Sequence, residues 1–151
     1  MRHPFFNFMK ITYHSSIIRF EGSYPSLSAF LLTPMPEESD KESMQLSAEG
    51  KFFVAPDSFS ASYQEEDGTN VRLSLEKGTL SFSRGATHAV FPSSGSASFL
   101  HRTEYGALTV DTYTLRLELQ EKNGSFLLTL TYLAYIGGMV QKNMMKWKFT
   151  H

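Results

Sequence analysis

The sequence predicts an all-β fold, an antiparallel up-and-down barrel of about eight to ten strands. Three observations carry that expectation. Apolar residues alternate with polar ones through most of the second half of the chain: Leu73 and Leu75, Leu80 and Phe82, Leu115, Leu117 and Leu119, then Phe126, Leu128, Leu130, Tyr132, Ala134 and Ile136. A strand side chain changes face at every residue, so this spacing gathers them on one buried face while Arg116, Glu118 and Gln120 face water. Each run closes on a glycine turn, Lys77-Gly78, Arg84-Gly85, Asn123-Gly124 and Gly137-Gly138. No stretch carries a convincing amphipathic helical period. Turns of about two to five residues force antiparallel neighbours, and closing the sheet removes the two edges that an open one would expose.

In chain order, Lys10 to Phe20 reads as the first strand, with Ile11, Tyr13, Ile17 and Ile18 in an extended context. From Glu21 to Ser43 the composition changes: Pro25, Pro34 and Pro36 bracket Leu27 to Leu32, and the acidic Glu37-Glu38-Ser39-Asp40 follows. Proline lacks a ladder donor and biases its predecessor away from helix. This segment is therefore expected to be an irregular insertion with room for one short helical turn, the best candidate for a lid. Met44, Leu46, Ala48, Phe52 and Val54 then share one parity across Gly50, which predicts a long half-buried strand. Phe59, Ala61 and Tyr63 make the next, closing on Glu65-Glu66-Asp67-Gly68, whose Asp-Gly step signals a hairpin. Val71 to Leu75, Leu80 to Ser83, Thr87 to Phe91, Ala97 to Arg102, Leu108 to Leu119, Phe126 to Ile136 and Lys142 to Phe149 complete the set.

One of these strands changes parity. Leu108 and Val110 are even, whereas Leu115, Leu117 and Leu119 are odd, so a β-bulge within Asp111-Thr112-Tyr113-Thr114 is expected to restore the register. Such a bulge serves either a barrel corner, the commoner use, or a polar patch in which Asp111 and Tyr113 turn into the interior.

A chain of 151 residues with 41% hydrophobic residues, 13 Phe and 7 Tyr is the size and composition of one globular domain over residues 1–151. A formal net charge of -1 excludes a global field that would gather nucleic acid or an anionic membrane. The absence of Cys excludes disulfides, a thiolate nucleophile and Cys-based metal sites, and favours a reducing compartment. Met1 to Phe8 is aromatic, but Asn7 and Lys10 interrupt it before an apolar h-region forms, so no signal peptide is read. Phe126 to Ile136, broken by Thr129 and Thr131, is too short to span a bilayer. The expectation is a soluble, cytoplasmic protein.

At Gly50 to Tyr63, Ser83-Arg84-Gly85, Thr103-Glu104-Tyr105-Gly106 and Phe126 to Ile136, the chain resembles the YwiB-like family, small bacterial proteins of unknown function with a lipocalin-like (calycin) barrel. The recurring features are a Tyr followed by acids ahead of a hairpin (Tyr63-Gln64-Glu65-Glu66), an Arg-Gly at a strand end and a Thr-x-Tyr-Gly turn. The likeness runs from about Met44 to Phe149, with Lys10 to Phe20 as the first strand. The chain departs from the pattern in its longer Glu21 to Ser43 segment and its Met-rich Met139 to Met145. What the resemblance implies is the fold; it brings no catalytic residues.

Motifs for chemistry are sparse. Of the five His, only His88 and His101 fall on neighbouring strands, and no HxH or HExxH spacing supplies a zinc site. The many Ser, as in Pro92-Ser93-Ser94-Gly95-Ser96, sit in turn-like sequence without a nucleophile elbow. Glu65, Glu66 and Asp67 read as a solvated hairpin tip rather than paired catalytic acids. Lys142, Lys146 and Lys148 oppose Met145, Trp147 and Phe149 in parity, which fits lysines solvating the outside and guarding a sheet edge better than a nucleic-acid stripe.

The barrel interior remains. A barrel of about eight strands is either filled by its own side chains or holds one small ligand. For an open interior, Arg84 and Arg102 at strand ends are the candidate anion-pairing donors near a rim. Tyr63, Tyr105 and Tyr113 offer an apolar body with a polar tip, and Asp111 joins them if the bulge turns it inwards. The leading expectation is a non-enzymatic module binding a small amphipathic or apolar molecule, with no cofactor, metal or nucleic acid, as a monomer or homodimer. The alternative is a protein–protein interaction unit with a filled barrel, using an outer face or the insertion; an enzyme comes third.

Overall fold

The structure is a computed structural model that describes residues 7–150, with side chains from residue 9 onward. Residues 1–6 and 151 lie outside it, and with them most of the Met1 to Phe8 segment, His3 and His151. Ten strands follow one another: β1 (Asn7–Phe20), β2 (Glu38–Ala55), β3 (Ser58–Gln64), β4 (Asn70–Glu76), β5 (Thr79–Arg84), β6 (Thr87–Phe91), β7 (Gly95–Thr103), β8 (Gly106–Lys122), β9 (Ser125–Ile136) and β10 (Met139–Thr150). Each pairs antiparallel with its neighbour in sequence, and β10 returns to β1, closing an all-β barrel. That is two strands more than the eight of a lipocalin. The tight turns have the chemistry they need: Asn123 (φ 53°) and Gly124 (φ 80°) both take the left-handed conformation of a two-residue hairpin loop between β8 and β9.

The insertion is shorter than predicted. Residues 38–43 belong to β2, because β1 is long enough to pair with them, from Ile18 against Lys41 to Phe20 against Glu38. What remains holds one short helix, α1 (Leu27–Leu31), whose Ser26 Oγ accepts from the Ala29 N–H at 3.1 Å. Its Leu27 and Phe30 pack on Leu133 and Val140, with Phe20, Tyr24, Tyr113 and Tyr135 around them. These contacts have the parity opposite to the barrel core, so α1 lies on the outer wall rather than over the mouth as a lid. Tyr135 Oη donates to the Tyr24 carbonyl at 2.7 Å, and the Tyr24 N–H donates to the Gly138 carbonyl at 2.8 Å, pinning the insertion there.

The predicted bulge is present, one step further along. Thr114 pairs with Tyr132 and Arg116 with Thr131, so Leu115 is the extra residue. It is itself exposed, contrary to its place in the predicted core run. Consequently Val110, Thr112 and Thr114 point inwards, followed by Leu117 and Leu119 after the bulge. Asp111 and Tyr113 have the outward parity, which fits the commoner reading of the bulge as a barrel corner and not the alternative of a polar patch turned into the interior.

The wall is uneven in height. β3 pairs with β2 only from Gly50 to Ala55, and β6 meets β7 through the single pair His88 and Leu100. Above Gly50, β2 rises beside β1 alone; likewise Gly106 to Val110 of β8 pair with β7 alone. Gly50 marks the divergence. A Cβ there would collide with the Ser62 carbonyl and stand 2.6 Å from Ile11 Cδ1, so only glycine lets β2 approach β3 so closely.

Candidate functional site

Call the lower end of the barrel the one bearing the start of β1 and the end of β2. Its interior is solid with aromatic rings: Phe59 lies 5.1 Å from Phe149, 5.6 Å from Phe126 and 6.3 Å from Phe52. Above them comes a layer in which Trp147 stacks at 5.2 Å from Tyr13 and 5.9 Å from Phe82, while Phe91 lies 4.6 Å from Tyr132. Trp147 is fully buried, and its Nε1 donates to Tyr63 Oη at 3.0 Å, which satisfies the indole across the barrel.

Above that floor the interior becomes polar. Ser15, Thr112, Thr114, Tyr132 and Asn143 are all buried. Register makes Tyr132 the neighbour of both Thr114 on β8 and Asn143 on β10. Asn143, opposite Tyr132, tempers the rise of its phenol pKa, and Asn143 Oδ1 accepts from Gln141 Nε2 at 3.0 Å. Thr112 and Thr114 are each 1% exposed, and neither hydroxyl oxygen has a hydrogen-bond partner among the described residues. Burial pushes the Tyr132 phenol up to about 12 and raises those of Tyr13 and Tyr63 as well, so all three stay neutral donors at physiological pH.

At the low side of this end stands an ion pair. Arg84, closing β5, gives Glu65 two Nε contacts of 3.1 Å and one from Nη2 of 2.7 Å. The Glu65 side chain is 9% exposed and that of Arg84 52%, so the carboxylate is tucked in beneath the guanidinium. The hydrogen bonds to Glu65 raise the Arg84 pKa.

Of the six residues singled out from the sequence, two lie near one another in register, Tyr63 and Arg84, each opposite Val71, and the charges of Arg84 and Glu65 act on the Tyr63 phenol. Arg102 and Tyr105 stand exposed on the protruding β7–β8 hairpin. Asp111 lines a shallow outer groove of about 340 Å³ with Ser26, Ser28, Leu31, Ser96 and Ser98, and Tyr113 packs near α1. His88 and His101 do not meet: His88 Nδ1 lies 2.6 Å from Ser83 Oγ and His101 Nδ1 3.3 Å from Thr87 Oγ1. No group of three or more His, Cys, Asp or Glu is placed to hold a metal among the described residues. No helix among them is long and apolar enough to cross a membrane. The lysines of β10 edge no sheet, since that strand is paired on both sides.

The polar layer itself escapes the sequence reading. Threonine in a strand reads as a β-former, and the apolar Leu115 draws the odd parity too far upstream. Continuing the even parity of Leu108 and Val110 through Thr112 and Thr114 is the signal that finds it.

A comparison with the curated proteins finds no match. Among solved structures, the crystal structure of the YwiB protein from Bacillus subtilis superposes with a TM-score of 0.63 at 13% identity, over 93% of this chain and 91% of that one. At that identity the likeness is one of fold. The model of a domain of unknown function, DUF1934, matches residues 32–146, and the chain therefore belongs to that family.

Proposed function

We propose that this barrel is a non-enzymatic binding module for a small polar molecule, seated in the upper interior above the Trp147 floor. The observation that carries the reading is the pair of buried hydroxyls on β8, Thr112 and Thr114, left without partners next to Tyr132 and Asn143. An unsatisfied buried hydroxyl costs about 1–3 kcal/mol, and a ligand that brings its own donors and acceptors recovers part of that. The filled lower interior favours a polar guest over the apolar or amphipathic one expected from the barrel architecture, since a hydrocarbon tail finds its space taken by Phe59, Phe126 and Phe149. The half-exposed Arg84, pre-set by Glu65, then serves as a rim anchor rather than as a free anion trap.

The test is native mass spectrometry of the purified protein before and after denaturation, beside the double variant Thr112→Val, Thr114→Val. The expected result is a co-purifying small mass in the parent that the variant lacks, with the ligand-free variant at least as stable as the parent. No bound mass, together with a variant destabilised by more than about 1 kcal/mol, would mean that the hydroxyls serve the protein alone. A second reading, an interaction unit with a filled barrel, draws on Leu32 and Met35, which stand 84% and 95% exposed on the insertion.

A further inference from the structure

One long strand edge is left open. From Glu38 to Glu49, β2 pairs with β1 on one side, and no strand among the described residues pairs with it on the other, since β3 joins only at Gly50. Such an edge is a template for another strand, and proteins commonly guard it with charge. Here the guard is partly engaged. Arg19 of β1 reaches Asp40 at 3.4 Å and Glu42 at 3.1 Å. Within Lys41 to Glu49, that leaves Lys41 and Glu49 as the charges that no ion pair among the described residues holds. At the far end Asp40 Oδ1 accepts from the Lys41 N–H at 3.0 Å, capping the stretch.

We infer that two copies of this chain associate through this edge, antiparallel, about a two-fold axis at Gln45. Opposed residues in an antiparallel ladder share a face, so a two-fold axis normal to the sheet can pair odd positions only with odd and even only with even. Of the registers this allows, the one centred on Gln45 sets Lys41 against Glu49, and does so twice. It also sets Met44 against Leu46 twice on the mouth-facing side, and Ser43 against Ser47. Met44 is among the exposed large apolar residues of the monomer, and this pairing covers it. The edge is thus complementary to itself in charge and in apolar contact, which favours a second copy over an unrelated strand.

The experiment is light scattering on the intact 17.1 kDa chain across a dilution series, with charge-swap variants. The expected mass is twice that of the monomer at about 10 to 100 μM, the range for a small, polar interface. Lys41→Glu and Glu49→Lys should each weaken the dimer by about tenfold or more, because each sets like charges opposite one another twice, and the double swap should restore it. All these side chains are exposed, so the fold is not at stake. The chain has no Cys, so Gln45→Cys introduces a unique thiol that should form an intermolecular disulfide under mild oxidation, with Ser43→Cys forming little. A monomer at every concentration, a dimer that ignores the charge swaps, or cross-linking through Ser43→Cys in preference to Gln45→Cys overturns the inference.

Discussion

Trp147 shows how a single residue sets the boundary between the two halves of the interior. Below it lie the rings of Phe59, Phe126 and Phe149; at its own level one polar atom must be satisfied, and the Tyr63 hydroxyl, 84 positions away in sequence, does so at 3.0 Å. Replacing Tyr63 by Phe removes the acceptor and leaves the indole N–H buried and unpaired, so the variant should lose about 1–3 kcal/mol. Urea unfolding reads this as a lower midpoint at unchanged slope, and a loss below about 0.5 kcal/mol would mean that the bond contributes little. Parity alone turns Trp147 and Phe149 inwards from the sequence. Its partner cannot be read that way, because the stagger that brings β3 opposite β10 across the barrel is a property of closure. Arg84 teaches the same lesson: its place at a strand end is visible in Arg84-Gly85, whereas Glu65 beneath it reads as part of a solvated hairpin tip.

At the scale of the element, β8 is where pattern and structure part company. The alternation reveals a change of parity, but Leu115, being apolar, groups by pattern with the core that follows it. Leu115 is instead the bulged residue, exposed, with Thr114 and Arg116 opposing consecutive residues of β9. Deleting it makes the strand regular without moving any inward side chain to the other face, since Thr114 and Leu117 would then alternate in step. The deletion is therefore expected to fold, with a smaller loss of melting temperature than Leu117→Ala, which strips a half-buried side chain from the core and costs less than the roughly 2–5 kcal/mol of a fully buried leucine. Thermal unfolding of the two variants side by side decides it. A deletion that fails to fold would show that the barrel needs the bulge's curvature to close. The same reasoning separates Gly50, whose lack of a side chain is demanded by Ser62 and Ile11, from the turn glycines that the sequence already explains.

For the whole molecule, a closed meander is readable because short glycine turns and one-faced strands leave few other topologies. The difference in wall height is not, since it depends on how far each strand outlasts its partner rather than on any residue's preference. Three phenols buried inside the closed barrel give a pH response that concerns the fold as a unit. Tyr13, Tyr63 and Tyr132 are drawn from β1, β3 and β9, and in each burial raises the phenol pKa, to about 12 for Tyr132. An unfolded tyrosine ionises near pH 10. A group whose folded pKa lies above its unfolded value contributes stability that is fully present below the unfolded pKa and is lost as pH rises through the folded one. The three contributions therefore hold below about pH 10 and are withdrawn together above it, a tenfold change in acidity corresponding to about 1.4 kcal/mol. Tyrosinate absorbance followed alongside circular dichroism should rise in two stages. The second stage, ionisation of the buried Tyr13, Tyr63 and Tyr132, should coincide with the loss of the sheet. A single stage near pH 10, complete while the sheet persists, would mean that the upper interior admits water and hydroxide freely.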